Sequence, residues 1–368
     1  MDLAQIDPVE ARRAIAAASF RTLDLKRLAN VKPSLKPFVI PKLAPEGEVT
    51  LFTGPGSSGK SLLAQQLATA LAAGVPTLGL NMPQAPAIYL TCEDDDDQLH
   101  WRQAHICEAL GVGMERLAGK LQLASLRGEL DNALGGEGAC GEFELSPAFH
   151  RLAALVRRTR AKLVALDNVA HLFAGNENDR GQVTRFVNAL NRLAGESSAA
   201  VILLGHPNKS GDNYSGSTAW LNAVRSQFVI EHDEQTDMRT VTVGKANYTR
   251  KGAQLRFAWV DWAFVLEDQL APDTARQLAE TAKAHAENEA FLRCLRAMTQ
   301  QSREVSDKVG PNYAPSRLAA MTEANGVRKD AFARAMERLF HLGAIELVEV
   351  KRKGSETKMI IREVPRRA

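Results

Sequence analysis

The sequence predicts an α/β protein in which a mainly parallel central sheet is covered by helices on both faces and a small domain follows at the C-terminal end. Three observations carry that prediction. Apolar runs of strand length alternate with helix-period stretches from Val49 to His206. A glycine-bearing loop, Gly54 to Ser61, joins the first of those strands to the first of those helices. After Leu266 the composition turns Ala- and Glu-rich, then changes again to a helix, turn, helix, hairpin pattern.

Taken in order, residues Pro8 to Ser19 read as a short helix. An arm holding Pro33, Pro37, Pro41 and Pro45 follows, and prolines so spaced disfavour helix and strand interiors. The strands expected next are VTLFT from Val49, AIYLTCE from Ala87, KLQLAS from Lys120, KLVALDN from Lys162 and AVILLGH from Ala200. Nearly every position in them is apolar, which suits parallel strands buried on both faces. Helices are expected over Leu62 to Ala73, Gln98 to Leu110, Pro147 to Arg160 and Gln182 to Glu196. Three more strands are expected at Ser226 to His232, Arg239 to Lys245 and Leu255 to Leu266. A glycine-rich insert, Gly128 to Gly141, interrupts the middle of this region. Two polar loops, Ala174 to Gln182 and Pro207 to Ser217, are long enough to be functional. The division expected is an arm over 1–36, the main domain over 37–268, a helical linker over 269–300 and the small domain over 301–368.

Composition is that of a globular protein, 45% hydrophobic with a net charge of +3, so any nucleic-acid surface must be local. The four cysteines show no C-x-x-C spacing and read as isolated thiols of a reducing compartment. The first residues lack the apolar stretch of a secretory signal, and no apolar run reaches membrane-span length. A cytoplasmic location without membrane contact is expected.

The chemistry centres on GPGSSGKS. Gly54, Gly56 and Gly59 let the backbone turn tightly and aim N–H groups at phosphate oxygens, and the following helix brings its positive end to the same anion. The expected nucleotide contacts are Gly54, Gly56, Ser57, Ser58, Gly59, Lys60, Ser61 and Leu62, with Lys60 bridging the β- and γ-phosphates and Ser61 on Mg²⁺. Asp167 closes a buried strand and is the second expected metal-holding group. The residue after it is Asn168, where many such enzymes carry a glutamate, so the base must come from elsewhere. Glu93 is the candidate, on the expectation that its strand lies beside the phosphate-loop strand; otherwise it only caps the acidic run Asp94 to Asp97. His206 is placed to sense the γ-phosphate or to serve structure alone. Arg225 reads as a cation for another subunit's γ-phosphate or as a surface salt-bridge partner, with Lys245, a further expected nucleotide contact, and Arg250 as cations at a strand end.

These residues together resemble RecA-like ATPases, and within them the plasmid RepA hexameric replicative helicases. The resemblance spans roughly 37–266 and rests on GPGSSGKS, YLTCED, LVALDN, LLGH, the Ser-Gly-Ser-x-x-Trp-x-x-x-x-Arg run ending at Arg225, and GKANY. It implies ATP and Mg²⁺ as cofactors, a hexameric ring with ATP at subunit interfaces, and single-stranded DNA on the two core loops. It further implies Glu93 as catalytic carboxylate, His206 as sensor and Arg225 as the finger from a neighbour. Alternatives within reach of the same residues are a recombination filament ATPase and a DNA-binding regulator that uses ATP as an assembly switch.

The C-terminal pattern has the element order of a winged helix. Its second helix carries Arg328, Lys329, Arg334 and Arg338, its hairpin Lys351, Arg352, Lys353, Lys358 and Arg362, and its tail Arg366-Arg367. Such charges suit phosphate contacts, or else a protein-docking module with solvated faces.

Overall fold

The computed structural model describes residues 22–138, 141–205, 218–248, 251–351 and 357–365. It divides at Pro37 into two units. In the first, a single helical turn, Leu25–Leu28, is capped by Asp24, whose Oδ1 accepts the Arg27 N–H at 3.1 Å. Leu23, Leu25, Val31 and Leu35 are each more than half exposed there. The expected helix at Pro8 to Ser19 lies outside the described residues.

The second unit is built on nine strands: β1 (Val49–Thr53), β2 (Ala87–Thr91), β3 (Leu121–Ser125), β4 (Leu163–Asp167), β5 (Ala200–Gly205), β6 (Ser226–Asp233), β7 (Met238–Ala246), β8 (Gln254–Val260) and β9 (Ala263–Leu266). Their order is β3-β2-β4-β5-β1-β6-β7-β8-β9. The first six run parallel and the last three form an antiparallel meander. Apolar runs without polar alternation give this result because both faces are covered: every residue of β1, β2, β4 and β5 is buried.

The helices are α1 (Lys60–Ala73), α2 (Asp96–Leu110), α3 (Pro147–Thr159), α4 (Val169–Leu172), α5 (Arg180–Ser197) and α6 (Thr218–Ala223). α1 and α2 share one apolar cluster with the side of the sheet that carries Phe52, Ala165 and Ile202. α3 and α5 share the other with Leu51, Val164 and Leu203. Buried side chains of this size contribute about 1.5–3 kcal/mol each. α1 has eleven buried positions, so it is a core helix rather than a one-faced one. Helix starts follow side-chain caps: Asp95, Ser146 and Asp179 accept N–H groups of the first turns of α2, α3 and α5. The insert between β3 and α3 contributes Gly135–Glu137, which pairs with Phe143–Leu145 and Phe173–Ala174 in a small separate sheet.

Two expectations about the sheet are corrected. The single strand expected over Leu255 to Leu266 is a hairpin. Asp261 and Trp262 both take positive φ, 45° and 67°, and turn the chain so that Val260 pairs with Ala263. And β2, which leads to Glu93, does not adjoin the phosphate-loop strand: β4 and β5 stand between them.

Beyond β9, α7 (Pro272–Gln300) runs for 29 residues. Its second half joins α8 (Ala314–Ala319), α9 (Lys329–His341) and the hairpin β10 (Ile345–Lys351) with β11 (Thr357–Glu363) in a third apolar cluster around Phe291, Leu295, Phe332 and Ile361. The helix expected over Pro315 to Asn325 is shorter, ending at Ala319 before a 3₁₀ turn at Thr322–Ala324. Among the described residues no helix is long and apolar enough to cross a membrane.

Candidate active site

The C-terminal ends of β1, β4 and β2 open on one crevice. β1 delivers Gly54 to Lys60. At Gly54 a Cβ would lie 2.5 Å from the Ile230 carbonyl oxygen, and at Gly59, with φ +93°, another would lie 2.5 Å from the Phe264 ring. These two positions require glycine. Gly56 meets nothing within 4 Å, whereas Ser57 takes the left-handed conformation, φ 59°. Ser58 Oγ donates to the Pro55 carbonyl at 2.8 Å, an internal brace of the loop. Lys60 Nζ donates to the carbonyls of Gly54 and Pro55 at 2.8 and 2.7 Å. Burial lowers the Lys60 ammonium from its ordinary value, and the charges of Asp167 and Glu93 oppose that.

β4 delivers Asp167, 2% exposed. Tyr89, on the adjoining strand β2, donates its hydroxyl to Asp167 Oδ2 at 2.7 Å, and the Ser61 hydroxyl hydrogen bonds to the same carboxylate. Burial pushes the Asp167 carboxyl above its usual range; the bonds from Ser61 and Tyr89 pull the other way, and Glu93 and Asp94 add to the rise. Register explains why Glu93 arrives here although its strand is distant from β1. Thr91 is paired with Asp167, and the Cys92 N–H donates to the Asp167 carbonyl at 2.7 Å. Glu93 therefore emerges beside Asn168, whose Nδ2 donates to Glu93 Oε1. The other end of that amide accepts the Ala170 N–H at 3.0 Å. The cavity of about 230 Å³ so formed is lined by Lys60, Ser61, Glu93, Arg102 and Asp167, among others.

A buried lysine on a glycine loop, with a hydroxyl and a strand-end carboxylate converging beneath it, is a site for a triphosphate. The sequence profile of a family described as AAA domain matches residues 16–212, more than half of the chain. The chain belongs to the AAA domain family. It is thus an ATPase of the P-loop class, and its AAA domain carries the loop, Glu93 and Asp167 within the matched span.

The donor set of this AAA domain fits a hard divalent cation, since both candidate groups offer oxygen and the buried carboxyl gains by neutralisation. Mg²⁺ held by Ser61 and Asp167 would supply positive charge to the β- and γ-phosphates. No group of three metal-binding side chains occurs among the described residues.

Other expected residues lie elsewhere. Arg225 is exposed and precedes β6, whose Ser226 is level with Thr50 of β1. It is therefore level with Val49, five residue rises or about 16 Å from Gly54 along the strand direction. That exceeds the reach of an arginine side chain, so Arg225 cannot serve its own loop. Lys245, expected as a nucleotide contact, pairs with Gln227, which is level with Leu51. Its Nζ donates to the Leu221 carbonyl at 2.7 Å, and burial followed by the nearby Arg225 charge lowers its ammonium. It is not part of the crevice of its own chain. His206, Arg250 and the Pro207 to Ser217 loop lie outside the described residues. The Ala174 to Gln182 loop is braced by its own polar groups: Asn176 Oδ1 accepts the Asn178 N–H and Gln182 Oε1 accepts the Asn176 N–H, both at 2.9 Å.

Three site residues were not anticipated: Asn168 as a partner of Glu93, Tyr89 and Arg102. Arg102 forms an ion pair with Asp94 at 2.8 Å and donates to Gln65 at 3.2 Å. Tyr89 had one available signal, a phenol two residues before Thr91 in an apolar strand, since a buried hydroxyl needs a partner.

The basic residues of the C-terminal helix are largely engaged within the molecule. Glu287 on α7, 7% exposed, accepts from Arg334 at 2.6 Å and Arg338 at 2.7 Å. Lys329 lies over the Tyr313 ring at 5.6 Å, Lys358 is 3.5 Å from Glu304, and Arg362 donates to Thr299 at 3.1 Å. Arg352, Lys353 and the tail arginines lie outside the described residues.

Proposed function

We propose that this P-loop ATPase is a DNA-associated, RecA-like motor working as a homo-oligomer, of the kind that serves as a replicative helicase of a plasmid, phage or other mobile element. The observation that carries the reading is the separation between Arg225 and its own loop. A solvent-facing arginine that cannot reach its own triphosphate has a use when a second copy presents one, and such a trans arginine adds about 10³–10⁵ in rate in related phosphoryl-transfer enzymes.

In this reading Lys60 and the loop N–H groups hold the β- and γ-phosphates. Glu93, oriented by Asn168, takes a proton from the attacking water. We assign single-stranded DNA to the core loops. The C-terminal unit then acts as a winged-helix-like adaptor, since Glu287 already engages two of the arginines that a phosphate-binding helix would present.

Phosphate release measured with and without single-stranded DNA tests this, together with mass determination in a non-hydrolysable ATP analogue. Stimulation by DNA and a nucleotide-dependent oligomer, with separation of a forked duplex, are expected. DNA-independent turnover by a nucleotide-dependent oligomer would favour the assembly-switch reading, and a protein that stays monomeric with DNA-independent turnover would contradict the motor.

A further inference from the structure

A groove of about 640 Å³ lies between α3 and α5, the helices that cover the face of the sheet opposite α1 and α2. α3 leads into β4 and α5 into β5, which are adjacent and parallel, so the two helices run side by side in one direction. Phe149, Ala153 and Leu193, none more than 8% exposed, form the floor. The insert closes the end near the start of α3 with Phe143 and Leu145 of its small sheet. A Cβ at Gly135 would lie 2.7 Å from the Phe143 Cζ, so a glycine of the insert makes room for that ring. Leu145 is left 37% exposed.

The charge around this groove is almost all of one sign. Pro147 to Arg160 and Arg180 to Ser197 together hold seven arginines and a single carboxylate, Glu196, which pairs with Arg192 at 2.8 Å. Arg157 and Arg185, also on the rim, are exposed and engage no other described side chain. Glu142 and Glu144 of the insert lie outside the cavity wall. Arg185 and Arg192 stand two helical turns apart, about 10 Å along α5. An apolar trough of that length between unpaired cations matches, in shape and in sign, one face of a short amphipathic helix with acidic flanks. A nucleic-acid backbone would use the cations but leave Leu145, Ala153 and Leu193 without a partner. The arm of another copy does not suit the rim either, because its Lys26, Arg27, Lys32 and Lys36 carry the same sign.

We propose that this groove binds an acidic amphipathic helix of a partner protein, its apolar side chains on Phe143, Leu145 and Leu193 and its carboxylates on Arg157 and Arg185. Partner residues at i, i+3 or i+4, and i+7 face the floor, and the acids beside them face the arginines. The groove and the triphosphate crevice share no lining residue, so peptide binding and ATP binding are separate properties of the chain.

Selection of a phage library of random peptides, about twelve residues long, against the full-length protein tests this, with enriched peptides labelled and titrated by fluorescence anisotropy. The expected peptides are rich in Asp and Glu, carry Leu, Ile or Phe three or four residues apart, and bind one per chain, less tightly as salt rises. Arg157→Glu combined with Arg185→Glu should weaken them at least about tenfold, since two attractions become repulsions. Leu145→Ser should weaken them about two- to sixfold, the worth of the open third of that side chain. Urea unfolding checks the fold of both variants. Peptide analogues with Gln in place of Glu should lose as much as the arginine variant does, a comparison that leaves the protein unaltered. Enriched peptides without an acidic bias, or wild-type affinity in the folded variants, would overturn the proposal. A single-stranded oligonucleotide whose binding is lost with the arginines but indifferent to Leu145→Ser would overturn it in favour of nucleic acid. Loss of the protein's own oligomer in the arginine variant would overturn it in favour of a subunit contact.

Discussion

Asn168→Asp separates orientation of the base from everything else in the site. The substitution is nearly isosteric and keeps an oxygen where Oδ1 accepts the Ala170 N–H at 3.0 Å, so the cap of α4 survives. What changes is the group facing Glu93: an N–H donor becomes a carboxylate. A hydrogen bond to a charged group is worth about 1.5–3 kcal/mol. A carboxylate at this buried position beside the Glu93 charge adds at least ~1 kcal/mol, the repulsion of two unit charges about 4 Å apart in water. Asn168 is itself 2% exposed and thus fixed, so the loss falls on the position of Glu93. At 1.36 kcal/mol per factor of ten, kcat should fall roughly seventy- to nine-hundredfold. KM should stay within a few fold, because the loop and Lys60 are untouched. Steady-state phosphate release gives both constants, and urea unfolding confirms the fold. Folded Asn168→Asp protein with kcat within twofold of wild type would refute the orienting role.

The other predictions concern the loop, the interface and the C-terminal unit. Lys60→Ala should abolish hydrolysis; normal turnover by that variant would end the phosphate-loop assignment. Arg225→Ala should bind ATP but lose turnover, and mixing it with Lys60→Ala protein should restore some activity at mixed interfaces. No recovery at any ratio, with mixed assemblies confirmed by mass, counts against an arginine acting in trans. For Glu287, burial pushes the carboxyl up, but the hydrogen bonds and charges of Arg338 and Arg334 outweigh it and hold the carboxyl below its ordinary value. The unfolded chain then binds the proton more readily than the native one. The stabilisation is complete above the unfolded value, about 4.3, and is lost as pH falls through the lower native value. Glu287→Gln should therefore cost about 1–3 kcal/mol at neutral pH, moderated by the half-exposed Arg334, and should flatten the acid limb of a urea-unfolding pH series. An unchanged acid limb in that variant would show that Glu287 does not set it.

The buried strands were legible because each is apolar along nearly its whole length, and the glycine loop because strand and helix flank it. Strand order was not. Nothing in AIYLTCE says that two strands will stand between it and the phosphate-loop strand, since crossovers place parallel strands without a local mark. Glu93 still reaches the crevice, through register with β4 rather than adjacency to β1. The turn at Asp261 and Trp262 was hidden because Trp262, unlike Asp261, is not a customary left-handed residue. Asn168 was read only as a missing glutamate, and its amide contact with Glu93 depends on a pairing that no spacing reveals. Arg102 lies within an acidic-starting helix whose periodicity marks it as surface. Arg334 and Arg338 looked free because their partner, Glu287, lies on α7, some fifty residues away in sequence.

The central claim is that the water-activating carboxylate is Glu93, brought to the loop by the strand beside β4. Single-turnover cleavage of radiolabelled ATP by Glu93→Gln tests it most directly, with ATP affinity measured on the same preparation. The account predicts wild-type affinity and cleavage slowed by about 10²–10⁴-fold, the usual contribution of a general base. Cleavage at the wild-type rate with ATP fully bound would place the base on another residue.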